Sequence, residues 1–140
     1  MKRWAWIAAV VFGVVLILGA IGTWALVSTT LSNQRITVAE DATCLAGKRV
    51  RGPFSAYCQA KIIEKHTLDI TGGLTYAELD REDPRRATAM NSSFLQASLF
   101  TSVLAFGVAG LAGLAGVLFV LIGLGMRDVA VKHGEIPATT

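Results

Sequence analysis

The sequence predicts an all-α membrane protein, two transmembrane helices joined by a small, mainly helical, disulfide-stapled extracytoplasmic block. Three observations predict it. Residues Ala87–Met126 run for forty positions without a charged side chain, and Trp4–Val27 forms a second uncharged, mostly apolar run of 24 residues. Both cysteines, Cys44 and Cys58, fall between the two runs. Either run exceeds the roughly 20 residues that carry a helix across a hydrocarbon core about 30 Å thick. A chain of 140 residues is too short to wrap a soluble core around both.

Composition agrees. The chain is 53% hydrophobic and 16% charged, with a mean hydropathy of +0.54, which is outside the ordinary soluble range. Nine of the 13 Lys/Arg and eight of the 10 Asp/Glu lie between Arg35 and Arg86, leaving that stretch with a net charge of only +1. A sequence pI near 9.1 is therefore no argument for nucleic-acid binding. No basic run with interleaved aromatics is present either. The charges read as a solvated surface and membrane flanks.

Met1, Lys2 and Arg3 form a short basic start, residues 1–3, on the cytoplasmic side. Residues 4–31 follow as the first span. The apolar core of a cleaved signal peptide is about 7–15 residues long, so the longer run here predicts an uncleaved signal anchor, although Val27-Ser28-Thr29 offers small residues to a peptidase. Trp4, Trp6 and Trp24 stand near its two ends, where aromatic rings favour the headgroup layer. Ala5, Ala9 and Gly13 recur every four residues, a small-residue face that lets another helix come close.

The extracytoplasmic block is expected over residues 32–93. Ile36-Thr37-Val38 suits a short extended piece, but one strand makes no sheet, and residues 40–52 read as a loop. Gly52-Pro53 marks a helix start, since proline is tolerated in the first turn. Phe54, Tyr57, Cys58 and Ile62 then follow helical spacing as one apolar stripe, ended by Gly72-Gly73. Thr75 and Glu78 have capping-box spacing, which predicts a short helix to about Glu82, and Asp83-Pro84 reads as the cap that opens the last helix.

That last helix, opened at Asp83-Pro84, is expected to be long: residues 94–126 alone would measure about 50 Å, with the membrane span over about 103–123. Its first turns, with Asn91, Ser92, Ser93 and Gln96, would stand outside the bilayer. Gly107, Gly110, Gly113 and Gly116 recur every three residues; Ala105, Ala109 and Gly113, and likewise Ala112 and Gly116, recur every four. This surface is expected to pack on the first helix, or on a second copy or another membrane protein. Residues 127–140 form a short polar tail, read as loosely ordered.

Two spans put both termini on one side. Lys2, Arg3, Arg127 and Lys132 flank the spans at the termini, which the positive-inside rule places in the cytoplasm. The central block carries more Lys/Arg in total, Arg35 close to a span among them, and that weakens the charge argument. A pair of cysteines confined to the block supplies the missing weight, because such a pair outside the cytoplasm reads as a disulfide. Thirteen residues separate them, and closing that loop stabilises by about 3 kcal/mol on the chain-entropy argument.

Chemistry is sparse. His66 and His133 fall on opposite sides of the predicted membrane, and His66, with Glu64 and Asp69 near in sequence, reads as a solvated helix surface. The acidic run Glu78, Asp80, Glu82 and Asp83 lacks the glycine and closing glutamate of a calcium loop and shares its stretch with Arg81, Arg85 and Arg86. No nucleophile elbow, phosphate-binding glycine loop or zinc-helix motif is present. The spans hold no ionisable residue of the kind that marks a proton or ion path. No catalytic, metal-binding or cofactor-binding residue is assigned.

The stretch Gly72-Gly73-Leu74-Thr75-Tyr76-Ala77-Glu78-Leu79-Asp80-Arg81-Glu82-Asp83-Pro84-Arg85-Arg86-Ala87-Thr88, continuing through Phe94-Leu95-Gln96-Ala97-Ser98-Leu99-Phe100, resembles a family of small two-span actinobacterial membrane proteins. The likeness extends from about Tyr57 to Met126, with an N-terminal anchor in the same general plan. Members of that family often carry the label of an aromatic ring-opening dioxygenase subunit. Non-haem iron ring opening needs two histidines and a carboxylate on one metal, so the resemblance implies no catalytic residue in this chain, and we read the label as a misnomer. The expectation is a non-enzymatic, multi-pass plasma-membrane protein acting as an accessory or scaffold subunit of the bacterial cell envelope. Its partners would be the lipid bilayer and another membrane protein or itself, with no cofactor, nucleic acid or small-molecule substrate. The competing expectation is a homo-oligomeric pore or transport accessory built on the glycine-rich second helix.

Overall fold

The computed structural model describes the backbone of residues 2–134 and the side chains of residues 4–134. Met1, the side chains of Lys2 and Arg3, and residues 135–140 of the expected tail lie outside the described residues. Three helices make the fold: α1 (Lys2–Asn33), α2 (Pro53–Thr71) and α3 (Arg86–Lys132). No strand is assigned among the described residues. The chain divides into two compact units, Met1–Trp24 with Val108–Thr140, and Ala25–Gly107.

Two helices are long and apolar enough to cross a membrane, over Trp4–Asn33 and Arg86–Lys132. α3 has 47 residues, about 70 Å at 1.5 Å per residue, so it is longer at both ends than 94–126. It begins eight residues earlier because Asp83 caps it: the Arg85 N–H donates to Asp83 Oδ1 at 2.8 Å and the Arg86 N–H to the Asp83 carbonyl at 3.0 Å. At the other end it continues through Arg127 to Lys132, where a loosely ordered tail was expected.

The second unit has its own core. Leu31 of α1, Val38 and Val50 of the first connection, Ala56, Cys58 and Ala60 of α2, and Leu99 and Phe106 of α3 bury one another. Proline in the first turn of α2 leaves the chain to be capped by Ser55, whose Oγ accepts from the N–H groups of Arg51 and Gly52 at 3.2 Å each. Gly72, in the left-handed region at φ 71°, closes α2, and the Gly73 N–H reaches back to the Leu68 carbonyl at 2.7 Å.

Three local expectations are corrected. The stripe Phe54, Tyr57, Cys58, Ile62 is split: Cys58 and Ile62 are buried, whereas Phe54 and Tyr57 are exposed. The inward face is made by Ser55, Ala56, Cys58, Ala60, Ile62, Thr67 and Thr71, a stripe turned away from Phe54 and Tyr57. The short extended piece does find a partner: Thr37 pairs antiparallel with Arg49, flanked by Val38 N–H to Lys48 O at 2.8 Å and Val50 N–H to Ile36 O at 2.9 Å. Finally, residues 75–82 form turns, not a helix. The Glu78 carboxylate accepts from both the Thr75 N–H and its hydroxyl at 2.8 Å, so that hydroxyl is a donor and caps no amide.

Candidate functional site

Two kinds of surface stand out, a close-packed helix seam and a tethered loop. The seam belongs to the first unit. α1 and α3 run antiparallel, and a Cβ on Gly13 would lie 2.6 Å from the Gly116 carbonyl oxygen. One on Gly116 would lie 2.7 Å from the Gly13 carbonyl oxygen and 2.8 Å from Ile17 Cγ1. One on Gly123 would meet Val10 Cγ2 at 2.6 Å and the Trp6 carbonyl at 2.9 Å, whereas one on Gly113 would make an ordinary 3.4 Å contact with Ala20. Phe12 and Phe119 pack edge to face, with centroids 5.0 Å apart.

Read along the helices, these contacts step through residues 6, 10, 13, 17 and 20 of α1 and 113, 116, 120 and 123 of α3. Alternating steps of three and four are the spacing of a coiled-coil-like seam. Of the small residues singled out in sequence, Gly13, Gly113 and Gly116 lie on it. Ala109 is buried, and Ala5, Ala9, Ala105 and Ala112 are half-buried. Gly107 and Gly110 face open space. Gly123 is a seam residue that sequence reasoning missed, because it stands outside the every-three glycine series. A shallow apolar groove of about 420 Å³ flanks the seam, lined by Ala20, Ile21, Trp24, Gly110, Gly113 and Leu114 among others.

The second surface is the loop between residues 39 and 47, and three tethers hold it on α2. Cys44 and Cys58 form the disulfide, with Cα atoms 5.8 Å apart. The Ala39 N–H donates to Gln59 Oε1 at 3.1 Å, and His66 Nε2 meets Asp41 Oδ2 at 2.6 Å. That hydrogen bond to His66 holds the Asp41 carboxyl below the usual carboxylate range. His66 thus takes its acid from 25 residues upstream, not from Glu64 or Asp69, and no local spacing signals this.

The acidic run is used for structure. Arg85 donates through Nε and Nη2 to the Asp83 carboxylate at 3.0 and 2.7 Å, while its Nη1 reaches the Thr71 carbonyl at 3.1 Å. Arg85, by its side chain and then its backbone N–H, lowers the Asp83 carboxyl to about 2. Arg86 donates to the carbonyls of Tyr76 and Leu79 and lies 4.2 Å from the Tyr76 ring centroid. These two arginines fasten the turns of residues 75–82 to the start of α3, beside an open cavity of about 330 Å³. Among the described residues no three His, Cys, Asp or Glu side chains come together to hold a metal ion. His133 Nδ1 is taken by the Val129 carbonyl at 2.8 Å. The donor set that ring-opening iron chemistry requires does not fit these residues.

No family model, curated protein or solved structure matches the chain.

Proposed function

We propose that this chain is a two-span integral membrane protein of the cell envelope that acts without catalysis, as an accessory or scaffold subunit. The observation that carries the reading is the openness of its most apolar helices. Only 6% of the most apolar window of α1 and 17% of that of α3 are buried, whereas the core helix of a soluble protein would be mostly enclosed. Side chains such as Leu18, Leu111 and Leu114 face outward, and their exposure to water would be costly at about 25 cal/mol per Å². Lipid removes that cost.

The disulfide supports the orientation, since such bonds persist outside the cytoplasm. On this reading the block is extracytoplasmic and both termini are cytoplasmic. Ser28 and Leu31 support an uncleaved anchor. The Ser28 hydroxyl donates to the Arg51 carbonyl at 2.8 Å and Leu31 is a core residue, so α1 continues as one unbroken helix through Val27–Thr29 into the core of the block. The resemblance to small two-span actinobacterial proteins is part of the same proposal, without the ring-opening activity.

The test is gentle detergent extraction after crosslinking in native membranes, with mass spectrometry of what co-purifies. One abundant, stoichiometric membrane partner is the expected result. Recovery of the chain with itself alone would overturn the scaffold reading. It would favour a homo-oligomeric pore, to which the open Gly107 and Gly110 surface of α3 lends some support. Conductance in reconstituted bilayers would then decide.

A further inference from the structure

The hairpin around the Thr37–Arg49 pair turns opposite chemistries to its two sides. Val50 is fully buried against the core, so strand alternation sends its neighbours Arg49 and Arg51 outward on one face. Both are exposed, as is Arg35 in the turn that leads from α1 into the same hairpin. None of the three is in an ion pair among the described residues. Of the two acids in the adjoining loop, Asp41 is held by His66, and the exposed Glu40 carboxylate lies by Gly47.

The position of this face matters as much as its charge. From Trp4 to Trp24 α1 advances about 30 Å, the thickness of a hydrocarbon core. Ser28, four residues further on, therefore reaches the headgroup layer, and its hydroxyl fixes the Arg51 carbonyl at 2.8 Å. Three residues beyond Arg51 stands Phe54, 78% exposed at the first turn of α2. An exposed aromatic beside unpaired arginines is the composition of a surface that lies in a membrane interface.

We infer that Arg35, Arg49 and Arg51 form a binding face for the phosphate of an anionic glycerophospholipid in the extracytoplasmic leaflet, with Phe54 entering the headgroup–acyl boundary. Guanidinium groups match phosphate oxygens two at a time, which a lysine cluster would not. The inference also accounts for the basic residues that run against the positive-inside rule: they serve a lipid site and not orientation. It rests on the proposed membrane insertion.

The experiment reconstitutes the full chain into phosphatidylcholine vesicles doped with phosphatidylglycerol, re-extracts it gently and measures the lipid retained by mass spectrometry. The wild type should carry phosphatidylglycerol well above its bulk fraction. Each of Arg35→Gln, Arg49→Gln and Arg51→Gln should lower that enrichment by about fivefold at low salt. Arg81→Gln, which removes an exposed arginine elsewhere, should leave it unchanged. Non-reducing electrophoresis of the disulfide checks that each variant is folded. Equal enrichment in the wild type and the triple variant would overturn the site, as would displacement of the lipid by inorganic phosphate alone. Release of the protein from the vesicles by alkaline carbonate would instead overturn membrane insertion itself, whatever lipid it retains.

Discussion

The two units of this chain are held together by opposite means. In the first, α1 and α3 meet where side chains are missing, and carbonyl oxygens at Gly13 and Gly116 occupy the space a methyl group would need. In the second, α2 and the loops are held by groups that reach across gaps: a disulfide, the His66–Asp41 contact and the carbonyl bonds of Arg85 and Arg86. On the proposed two-span reading, the difference follows from the surroundings each unit would have to satisfy. Lipid supplies no hydrophobic force between helices, so close van der Waals approach has to hold them. A block of fewer than about 90 residues in water has little core to spare and gains from crosslinks.

That contrast predicts where damage is greatest. Replacing Cys44 and Cys58 together with serine should destabilise the second unit by about 3 kcal/mol, the loss expected for opening a loop of this length. The seam should be unaffected. Thermal unfolding in detergent, with near-ultraviolet and far-ultraviolet dichroism followed separately, would register this as an early loss of tertiary signal while long-helix content persists. Simultaneous loss of both signals would mean that the two units do not unfold separately.

The seam should break under the opposite treatment, a gain of atoms. Gly116→Ala puts a methyl against the Gly13 carbonyl and Ile17, and overpacking of this kind costs about 1–3 kcal/mol. Gly107→Ala meets nothing within 4 Å and should be neutral or slightly stabilising, since alanine is the better helix former by about 0.5–1 kcal/mol. The same unfolding experiment compares the two. Equal loss in both would remove the seam as the explanation.

Legibility in the sequence followed range. The bounds of α2 were readable because Gly52-Pro53 and Gly72-Gly73 act within a few residues of themselves. The disulfide was readable because only two cysteines exist. Contacts that join distant residues were not. Thr37 meets Arg49 across a connection with no tight-turn signature, and Asp41 meets His66 with no local pattern to announce it. Phe54 and Tyr57 misled because helical spacing identifies a face without saying whether water, lipid or protein covers it. Glycine spacing misled in a related way: steps of three and of four are both common in apolar helices, and only the partner decides which steps are used.

Smaller effects separate the polar fastenings from one another. Asp83→Asn keeps a capping oxygen at the start of α3 and removes the charge that Arg85 grips. The folded Asp83 carboxyl sits at about 2, lowered chiefly by its Arg85 hydrogen bonds. A lowered carboxyl contributes stability that is fully present above the ordinary carboxylate range and is lost as pH falls through that range towards 2. Wild type should therefore exceed the asparagine variant at neutral pH, and the two should converge in acid. A constant difference across the whole range would show that the charge plays no part.

The smallest effect should come from Asp41→Ala, since the His66–Asp41 pair is about half exposed on both sides and such pairs add little by themselves. With Cys44–Cys58 intact, the loop stays on α2 whether or not Asp41 is present, and loss of the pair should barely change hydrogen exchange at the Gly47 amide, which donates to the Val38 carbonyl at 2.9 Å. In the double serine background the side-chain tethers that remain are Gln59 and His66, so Asp41→Ala should then speed exchange at Gly47 well beyond the sum of the separate changes. Such coupling would show that the tethers share one task, closing the loop on α2. Additive behaviour would mean that each tether holds its own few residues, and the second unit would be less unlike the first than its crosslinks suggest.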